Sequence, residues 1–251
     1  MWFLNQGWNS LTVLPETVFH DLTGLREKNL AGNRLAYLQP QLFQNLNELK
    51  ELDLTGKYLK VIKANVFVKL LKLQKLYLAQ NQIGSVMPRA FIGLKSLKWL
   101  DMRNNRLTFL HEDTFLSTIQ SSCVALSNNS ITGLKTRTFR TLQYLEELRL
   151  SYNKIRAQGE RIFKGLGHLE VLELDNNQVQ EAQKATFSGM SQEAVINPSG
   201  SNFKSLPDQM FKSLPKLHSL HLDRGCLTKI TNLAFSGLSG LRRLFQIGRA
   251  V

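Results

Sequence analysis

The sequence has few cysteines, no long apolar run and no metal-binding motif. Its two cysteines, Cys123 and Cys226, allow at most one disulfide. No segment has the roughly eighteen consecutive apolar residues that a membrane span requires. The five histidines and two cysteines show no H-x-x-x-H or C-x-x-C spacing, so no zinc site and no cofactor is indicated. The start, Met-Trp-Phe-Leu-Asn-Gln, lacks the regions of a secretory leader, so the chain is either cytosolic or a fragment without its leader.

The composition is that of a folded, strongly basic protein. With 43% hydrophobic and 20% charged residues, the 251-residue chain is long enough to bury a substantial core. A net charge of +13 and a pI near 9.9 suggest nucleic acid, a heparin-like polysaccharide or an acidic membrane surface as a partner. Charge alone does not choose among these three.

A period of 24 residues runs through the whole chain. Counting in steps of 24 from Asn9 gives eleven positions, seven of which are asparagine. Ten positions further on in each repeat there is a phenylalanine, so ten of the fourteen phenylalanines share one phase. They are Phe19, Phe43, Phe67, Phe91, Phe115, Phe139, Phe163, Phe187, Phe211 and Phe235. The pattern predicts one domain over residues 1–251, with ten complete repeats (1–240) and a partial eleventh (241–251).

One well-kept unit identifies the type of repeat. Residues 73–83 read Leu-Gln-Lys-Leu-Tyr-Leu-Ala-Gln-Asn-Gln-Ile and match the leucine-rich-repeat signature L-x-x-L-x-L-x-x-N-x-L. This predicts an α/β repeat solenoid, a horseshoe with a parallel β-sheet on its concave face and mostly irregular or short helical segments on its convex face. The asparagines are expected to satisfy buried backbone groups, and the phenylalanines to fill the opposite wall of the core. No cap is evident at either end.

Polar residues interrupt the core pattern at several positions. They are Gln6, Lys28, Ser121, Gln158, Pro198 and Gln246, and Lys57 replaces an asparagine. A buried lysine must reach solvent or lower its pKa, at a cost of several kcal/mol if it does neither. We therefore expect local distortion at the amino-terminal end and around residues 193–203.

The two cysteines are just over four repeats apart. At a strand spacing of roughly 4.8 Å their Cα atoms are about 20 Å apart, whereas a disulfide needs less than about 7 Å. We expect that they do not pair with each other.

Several stretches outside the shared leucines resemble the acid-labile-subunit family of leucine-rich-repeat proteins, and the likeness runs the whole length of the chain without a gap. The stretches are residues 7–11, 30–40, 62–68, 73–78, 217–222 and 237–245. The resemblance implies an internal fragment or divergent copy of a secreted plasma glycoprotein. It also implies that the protein binds an insulin-like growth factor together with its binding protein and prolongs the hormone's circulation. The family has a cysteine where this chain has Asn202, which leaves Cys226 unpaired.

Outward side chains on the strands give the concave face a net negative charge. These positions lie six, four and two residues before each asparagine position, and they hold eight acids against four bases, Lys75, Arg103, Arg149 and Arg243. The net charge of the face is therefore −4, and that of the remainder of the chain is +17. The predicted partner-binding residues are Glu27, Glu51, Asp53, Tyr77, Trp99, Asp101, Glu147, Glu173, Asp175 and Asp223. The alternative is that the acids merely keep the sheet soluble, but with the resemblance a basic protein partner is favoured.

Basic residues cluster in two adjacent repeats of the convex side. They are Lys135, Arg137, Arg140, Lys154, Arg156, Arg161 and Lys164. Such a cluster is suited to a glycosaminoglycan, although it is also typical of an ordinary solvated surface. Since no aromatic side chains alternate with these bases, we do not expect nucleic-acid binding.

Signals of catalysis are weak, and no catalytic residue is predicted. Ser219, His221 and Asp223 have the residue types of a triad, but alternate strand residues stand roughly 6.6 Å apart, which is too far for direct hydrogen bonds. Cys123 is expected to be a packed side chain rather than a reactive thiol. Asn128-Asn-Ser130 is a usable glycosylation sequon, whereas proline blocks the one at Asn197.

These observations favour a secreted, non-enzymatic protein-binding subunit. Two alternatives stay open: the ectodomain of another extracellular leucine-rich-repeat receptor or matrix protein, and a scaffold that binds sulfated polysaccharide through its basic side.

Overall fold

A computed structural model describes residues 1–56, 58–158, 161–180, 186–190 and 195–245. Its strands, numbered in chain order, are β1 (Phe3–Asn5), β2 (Glu27–Asn29), β3 (Glu51–Asp53), β4 (Val61–Ile62), β5 (Lys75–Tyr77), β6 (Ser85–Val86), β7 (Trp99–Asp101), β8 (Cys123–Ala125), β9 (Gly133–Leu134), β10 (Glu147–Arg149), β11 (Ala157–Gln158), β12 (Val171–Glu173), β13 (Val195–Asn197), β14 (Ser205–Leu206), β15 (Ser219–His221), β16 (Lys229–Ile230) and β17 (Arg243–Phe245).

The three-residue strands form one parallel sheet of eleven strands in the order β1-β2-β3-β5-β7-β8-β10-β12-β13-β15-β17. Each strand pairs with the strand 24 residues later, as Glu51 with Lys75 and Tyr77 with Asp101. The middle residue of each strand points inward, and Leu52, Leu76 and Leu100 are fully buried. The predicted solenoid with a parallel concave sheet is confirmed.

The convex side is built from turns and two-residue strands. β4 pairs with β6, β9 with β11, and β14 with β16, each in the same 24-residue register. The described residues contain no helix, so their convex segments are of the irregular kind that the sequence predicts, and short helical segments do not occur among them. Successive turns closed by hydrogen bonds three residues apart, such as Leu94 N–H to Phe91 O, take the place of helices.

The phenylalanine column forms a continuous stack through the core. Rings from Phe19 to Phe211 lie face to face with their successors at centroid distances of 5.7–6.5 Å. These nine rings are at most 2% exposed, as predicted. Phe235, the tenth, is only partly buried and packs against the edge of the core.

The asparagine column forms a ladder of side-chain hydrogen bonds. Asn129 Nδ2 donates to the carbonyl oxygens of Leu126 and, in the preceding repeat, Met102, both at 3.0 Å. Its Oδ1 accepts from Leu107 N–H at 3.0 Å. Equivalent bonds are made by the other buried members, Asn33, Asn81, Asn105, Asn153 and Asn177. The asparagines thus satisfy backbone groups both within and between repeats, as expected.

Lys28 lies in the core without distorting the first repeats. It is 1% exposed, and its Nζ donates to Gln6 Oε1 at 2.5 Å and lies 4.7 Å from the Phe19 ring centroid. β1 and β2 still pair over three residues in the common register. The expected distortion at the amino-terminal end is therefore absent, because two polar residues at core positions, Lys28 and Gln6, satisfy each other. Burial lowers the pKa of Lys28 from 10.5 to about 8.

The remaining polar core positions behave differently from one another. Ser121 is fully buried and its hydroxyl donates to Leu97 O at 3.2 Å. Pro198 has no N–H to donate to the next strand, and β13 pairs with β15 over two residues instead of three. The distortion expected near residues 193–203 is thus present as a shortened ladder. Lys57, Gln246 and the side chain of Gln158 lie outside the described residues.

Replacing Phe139, at the centre of the ring stack, with alanine is expected to lower the free energy of unfolding by about 3–5 kcal/mol, because the stack cannot close over the cavity. Urea unfolding measures the loss. A decrease below about 1 kcal/mol would contradict the burial of this ring.

Lys28→Leu is expected to raise the free energy of unfolding at neutral pH by about 1–3 kcal/mol, since it removes a buried amine. In the folded protein the Lys28 amine loses its proton near pH 8, whereas in the unfolded chain it keeps the proton up to about pH 10.5. Between these two pH values the unfolded state binds more protons than the folded state, so the free energy of unfolding of the wild type should rise with pH. This rise should be missing in the variant. Urea titrations across that pH range test both points, and equal pH dependence of the two proteins would contradict the assignment.

Candidate protein-binding surface

The sequence-predicted binding residues lie together along the outward face of the eleven-stranded sheet. Glu27, Glu51, Asp53, Tyr77, Trp99, Asp101, Glu147 and Glu173 belong to its strands, and Asp175 and Asp223 follow β12 and β15 by two residues. In β3, β10 and β12 the middle residue is buried and its two neighbours are partly exposed, and this strand alternation places the outward side chains on one face. We call this surface, with its four bases, the concave face.

Three of the four bases on the concave face are held by acids of the same face. Lys75 Nζ lies 3.1 Å from Glu51 Oε2 on the neighbouring strand. Arg103 contacts Asp101, and Arg149 contacts Glu147, each with a closest distance of 2.7 Å. Within the described residues, no base is seen paired with Glu27, Asp53, Glu173 or Asp175. The unpaired negative charge therefore forms two groups, one on β2 and β3 and one at β12.

Asp101 differs from the expectation of an exposed contact residue. It is only 3% exposed, because the Arg103 guanidinium covers its carboxylate with bonds of 3.0 and 2.7 Å. Asp101 Oδ1 also accepts from the Arg103 backbone N–H. A partner would meet the arginine first, and Asp101 acts on it only through Arg103.

Two serine hydroxyl groups orient acids of the concave face, although neither serine was among the predicted binding residues. Ser151 Oγ donates to Asp175, and Ser199 Oγ donates to Asp223 Oδ1 at 2.7 Å. In both pairs the two residues are 24 apart, as are Glu51 and Lys75. A comparison of outward residues one period apart would have found all three pairs.

Tyr77 and Trp99 stand half-buried on the neighbouring strands β5 and β7, which lie between these two acidic groups. Burial, followed by the nearby carboxylate of Glu51, raises the pKa of the Tyr77 hydroxyl. The indole Nε1 of Trp99 is buried and has no hydrogen-bond partner in the described residues. The two aromatic side chains stand among the Lys75–Glu51 and Arg103–Asp101 ion pairs, so this part of the face has little net charge.

The triad-like residues of β15 are closer than expected but do not form a triad. Ser219 Oγ and His221 Nε2 lie 3.2 Å apart, so the prediction that alternate strand residues cannot reach each other is wrong for this pair. The reason is that side chains lean along the strand. Asp223 instead accepts from Ser199 and lies 3.6 Å from Arg224, and the His221 ring stacks on Phe245 at 4.3 Å.

The two cysteines are both free thiols in different surroundings. Cys123 is 3% exposed, and burial, together with Glu147, raises its pKa to about 12. Cys226 is exposed, with its Sγ 3.9 Å from Asn202 Oδ1. The prediction that the cysteines do not pair is confirmed, and the packed thiol at Cys123 is unsuited to nucleophilic chemistry.

Asn128, the predicted glycosylation site, lies at the edge of the concave face, where the chain bends after β8. Its side chain is exposed and its φ of 56° is left-handed. A shallow pocket of about 470 Å³ lies along the same edge, lined by Gln80, Asn81, Gln82, Asn104 and Arg106. Its polar lining lacks the apolar walls of a typical small-molecule site.

Metal-ligating side chains and long apolar segments are sparse in the described part of the chain. No group of three or more histidine, cysteine, aspartate or glutamate side chains there is arranged to hold a metal ion. No helix in that part has the length and apolar character needed to cross a membrane.

Comparison with family models matches the Leucine rich repeat family over residues 7–57, 47–107, 123–179 and 195–245. The chain belongs to the leucine-rich-repeat family. Comparison with curated proteins finds no match.

Among solved structures, the chain is similar to one from a TLR13–ssRNA13 complex, with 26% identity and a TM-score of 0.83 over 98% of this chain and 37% of that one. It is also similar to a chain of an octameric complex of Latrophilin 3, Unc5D and FLRT2, with 22% identity and a TM-score of 0.82 over 97% of this chain and 74% of that one. It is similar, too, to a chain of the Drosophila Toll–Spatzle complex, with 22% identity and a TM-score of 0.77 over 94% of this chain and 31% of that one. This chain thus spans about a third of the TLR13 and Toll chains.

The folded protein is expected to react with a thiol reagent such as Ellman's reagent at one cysteine only. Cys226 is exposed, whereas Cys123 is buried and its pKa of about 12 keeps it protonated. Both should react in urea. Rapid reaction of two thiols without urea would show that Cys123 is accessible, and peptide mapping identifies the labelled residue.

Proposed function

We propose that the concave face is a docking surface for a basic protein. The observation that carries this is the separation of charge, since the concave face has a net charge of −4 whereas the whole chain has a net charge of +13. The acids of the face that have no basic partner lie on both sides of Tyr77 and Trp99. Half-buried aromatic side chains are common anchors of protein interfaces, and complementary charge speeds encounter. The protein-bound complexes among the structural relatives support the same use of this fold.

The resemblance of the variable positions to the acid-labile-subunit family suggests the partner. On this proposal the chain is an extracellular, secreted subunit that binds an insulin-like growth factor together with its binding protein and prolongs their circulation. No catalytic step is assigned to it. Asn128 is proposed to carry a glycan, since its side chain is exposed in a usable sequon.

Reversal of four acids tests the docking surface. Glu51, Asp53, Glu173 and Asp175 changed to lysine would move the concave face from −4 to +4. Association with the growth factor and binding-protein pair should slow sharply and lose its salt sensitivity, because attraction becomes repulsion. Surface plasmon resonance at two ionic strengths measures both effects.

Two further variants make the result interpretable. Replacing the same four acids by Gln and Asn brings the face to 0 and retains hydrogen-bonding groups for Ser151 and for the Thr55 N–H that Asp53 accepts. It should slow association less than the reversal. Reversing Arg137, Arg140 and Arg161 to glutamate leaves the concave face unchanged. If that control abolishes binding while the concave variants do not, the concave assignment is wrong.

A second candidate is the ectodomain of another extracellular leucine-rich-repeat receptor or matrix protein. The likeness to the TLR13 chain favours it. The full-length transcript separates the two: a membrane span and a signalling domain after residue 251 indicate a receptor, and a cysteine-bearing cap followed by a stop codon indicates the secreted subunit.

A further inference from the structure

Seven basic side chains form an exposed cluster outside the concave face. They are Lys135, Arg137, Arg140, Lys154, Arg156, Arg161 and Lys164, all exposed, and we call them the convex basic patch. They come from one short part of the chain that spans β9 and β11. The patch is therefore local to two neighbouring repeats rather than spread along the solenoid.

Four members of the patch occupy equivalent positions on two stacked turns. Arg140 N–H donates to Arg137 O at 3.3 Å, and Lys164 N–H donates to Arg161 O at 3.0 Å, so each pair closes the same turn. The strands just before these turns, β9 and β11, pair in 24-residue register. The two turns carry Phe139 and Phe163, whose ring centroids lie 6.5 Å apart. The four positions form a two-by-two array of cations.

Few acids balance this array. Arg140 lies 3.4 Å from Asp113, and Arg156 bonds to the neutral Gln178 at 3.1 Å. Glu160 lies outside the described residues, but with its charge included the patch and Glu160 together are still +6. Like charges one repeat apart repel each other in the free protein. A linear polymer with regularly spaced anions would relieve that repulsion.

We propose that the convex basic patch binds a sulfated polysaccharide that lies across the two repeats, along the solenoid axis. Guanidinium groups donate to sulfate oxygens with two N–H groups at once, and three of the four array positions are arginine. Such ion pairing needs no apolar pocket in the protein. The site is separate from the concave face, so it does not depend on the partner proposed there.

A nucleic acid is the competing polyanion, since one structural relative is in complex with single-stranded RNA. Single-stranded nucleic acid gains much of its affinity from bases stacked on aromatic side chains. The exposed Tyr152 is two residues from Lys154 but lies at the bend after β10, outside the two stacked turns of the array. Tyr144 and His168, which lie nearby in sequence, stack on each other at 5.8 Å, so each ring already has one face covered.

Heparin chromatography of the full chain tests the proposal. The wild-type protein should be retained beyond about 0.5 M NaCl, where weak surface attraction is screened. The patch variant Arg137→Ser, Arg140→Ser, Arg161→Asn and Lys164→Ser should elute at clearly lower salt. Asparagine is used at 161 because that residue has a left-handed φ of 56°. Circular dichroism checks that both proteins are folded.

A matched control removes four exposed lysines elsewhere: Lys50, Lys69, Lys95 and Lys98, each changed to serine. It has the same net charge as the patch variant and should elute like the wild type. Equal shifts in both variants would mean that net charge alone retains the protein, which would overturn the proposal. So would elution of the wild type well below 0.5 M NaCl.

Competition arms identify the ligand class. Heparin in solution should displace the protein from the column at far lower concentration than fully desulfated heparin, polyuridylate RNA or vesicles of phosphatidylserine. If RNA or vesicles displaced the protein as effectively as heparin does, the polysaccharide proposal would be overturned and that competitor would be the better candidate ligand. Because the concave reversal variant retains the patch, it should bind heparin at least as well as the wild type, so the two proposals fail independently.

Discussion

The buried carbonyl oxygens at the bend after each concave strand are the constraint on which this fold depends. Left without donors, such groups would each cost about 1–3 kcal/mol. A single asparagine amide satisfies two of them, one in its own repeat and one in the repeat before, as Asn153 does for Leu150 and Leu126. Because one side chain must reach both, neighbouring repeats have to keep the same length. The phenylalanine stack and the sheet register follow from that equality.

Equal repeat length makes residues 24 apart neighbours over most of the chain, and this determines the chemistry of the concave face. Lys75 neutralises Glu51, and Ser199 orients Asp223, because each pair is one period apart. The charge presented to a partner is therefore a property of neighbouring strands, and not of single residues. Asp175, held by Ser151 rather than by a base, keeps its charge for a partner, whereas Glu51 shares its charge with Lys75.

The period predicts which side chains are buried, since burial needs only strand alternation and a repeated register. It does not predict how a buried polar group is satisfied, because the partner can come from another column. The Lys28 amine donates a hydrogen bond to Gln6, although the repeat pattern marks these two residues only as separate interruptions of the core. Asp101 has the predicted place on the face but is covered by Arg103. The spacing of backbone atoms likewise does not predict the distance between the Ser219 and His221 side chains, because the ends of these side chains lie closer together than the Cα atoms.

The opposite charges of the two surfaces affect one another through solvent. At physiological ionic strength the Debye length is about 8 Å, so a basic partner near the concave face interacts mainly with the acids of that face. At 0.01 M salt the length grows to about 30 Å, and the partner also experiences the basic remainder of the +13 chain. Neutralising the convex basic patch with a polyanion would remove part of that repulsion. Occupation of the two surfaces would then be coupled favourably through electrostatics alone, with no change in the solenoid.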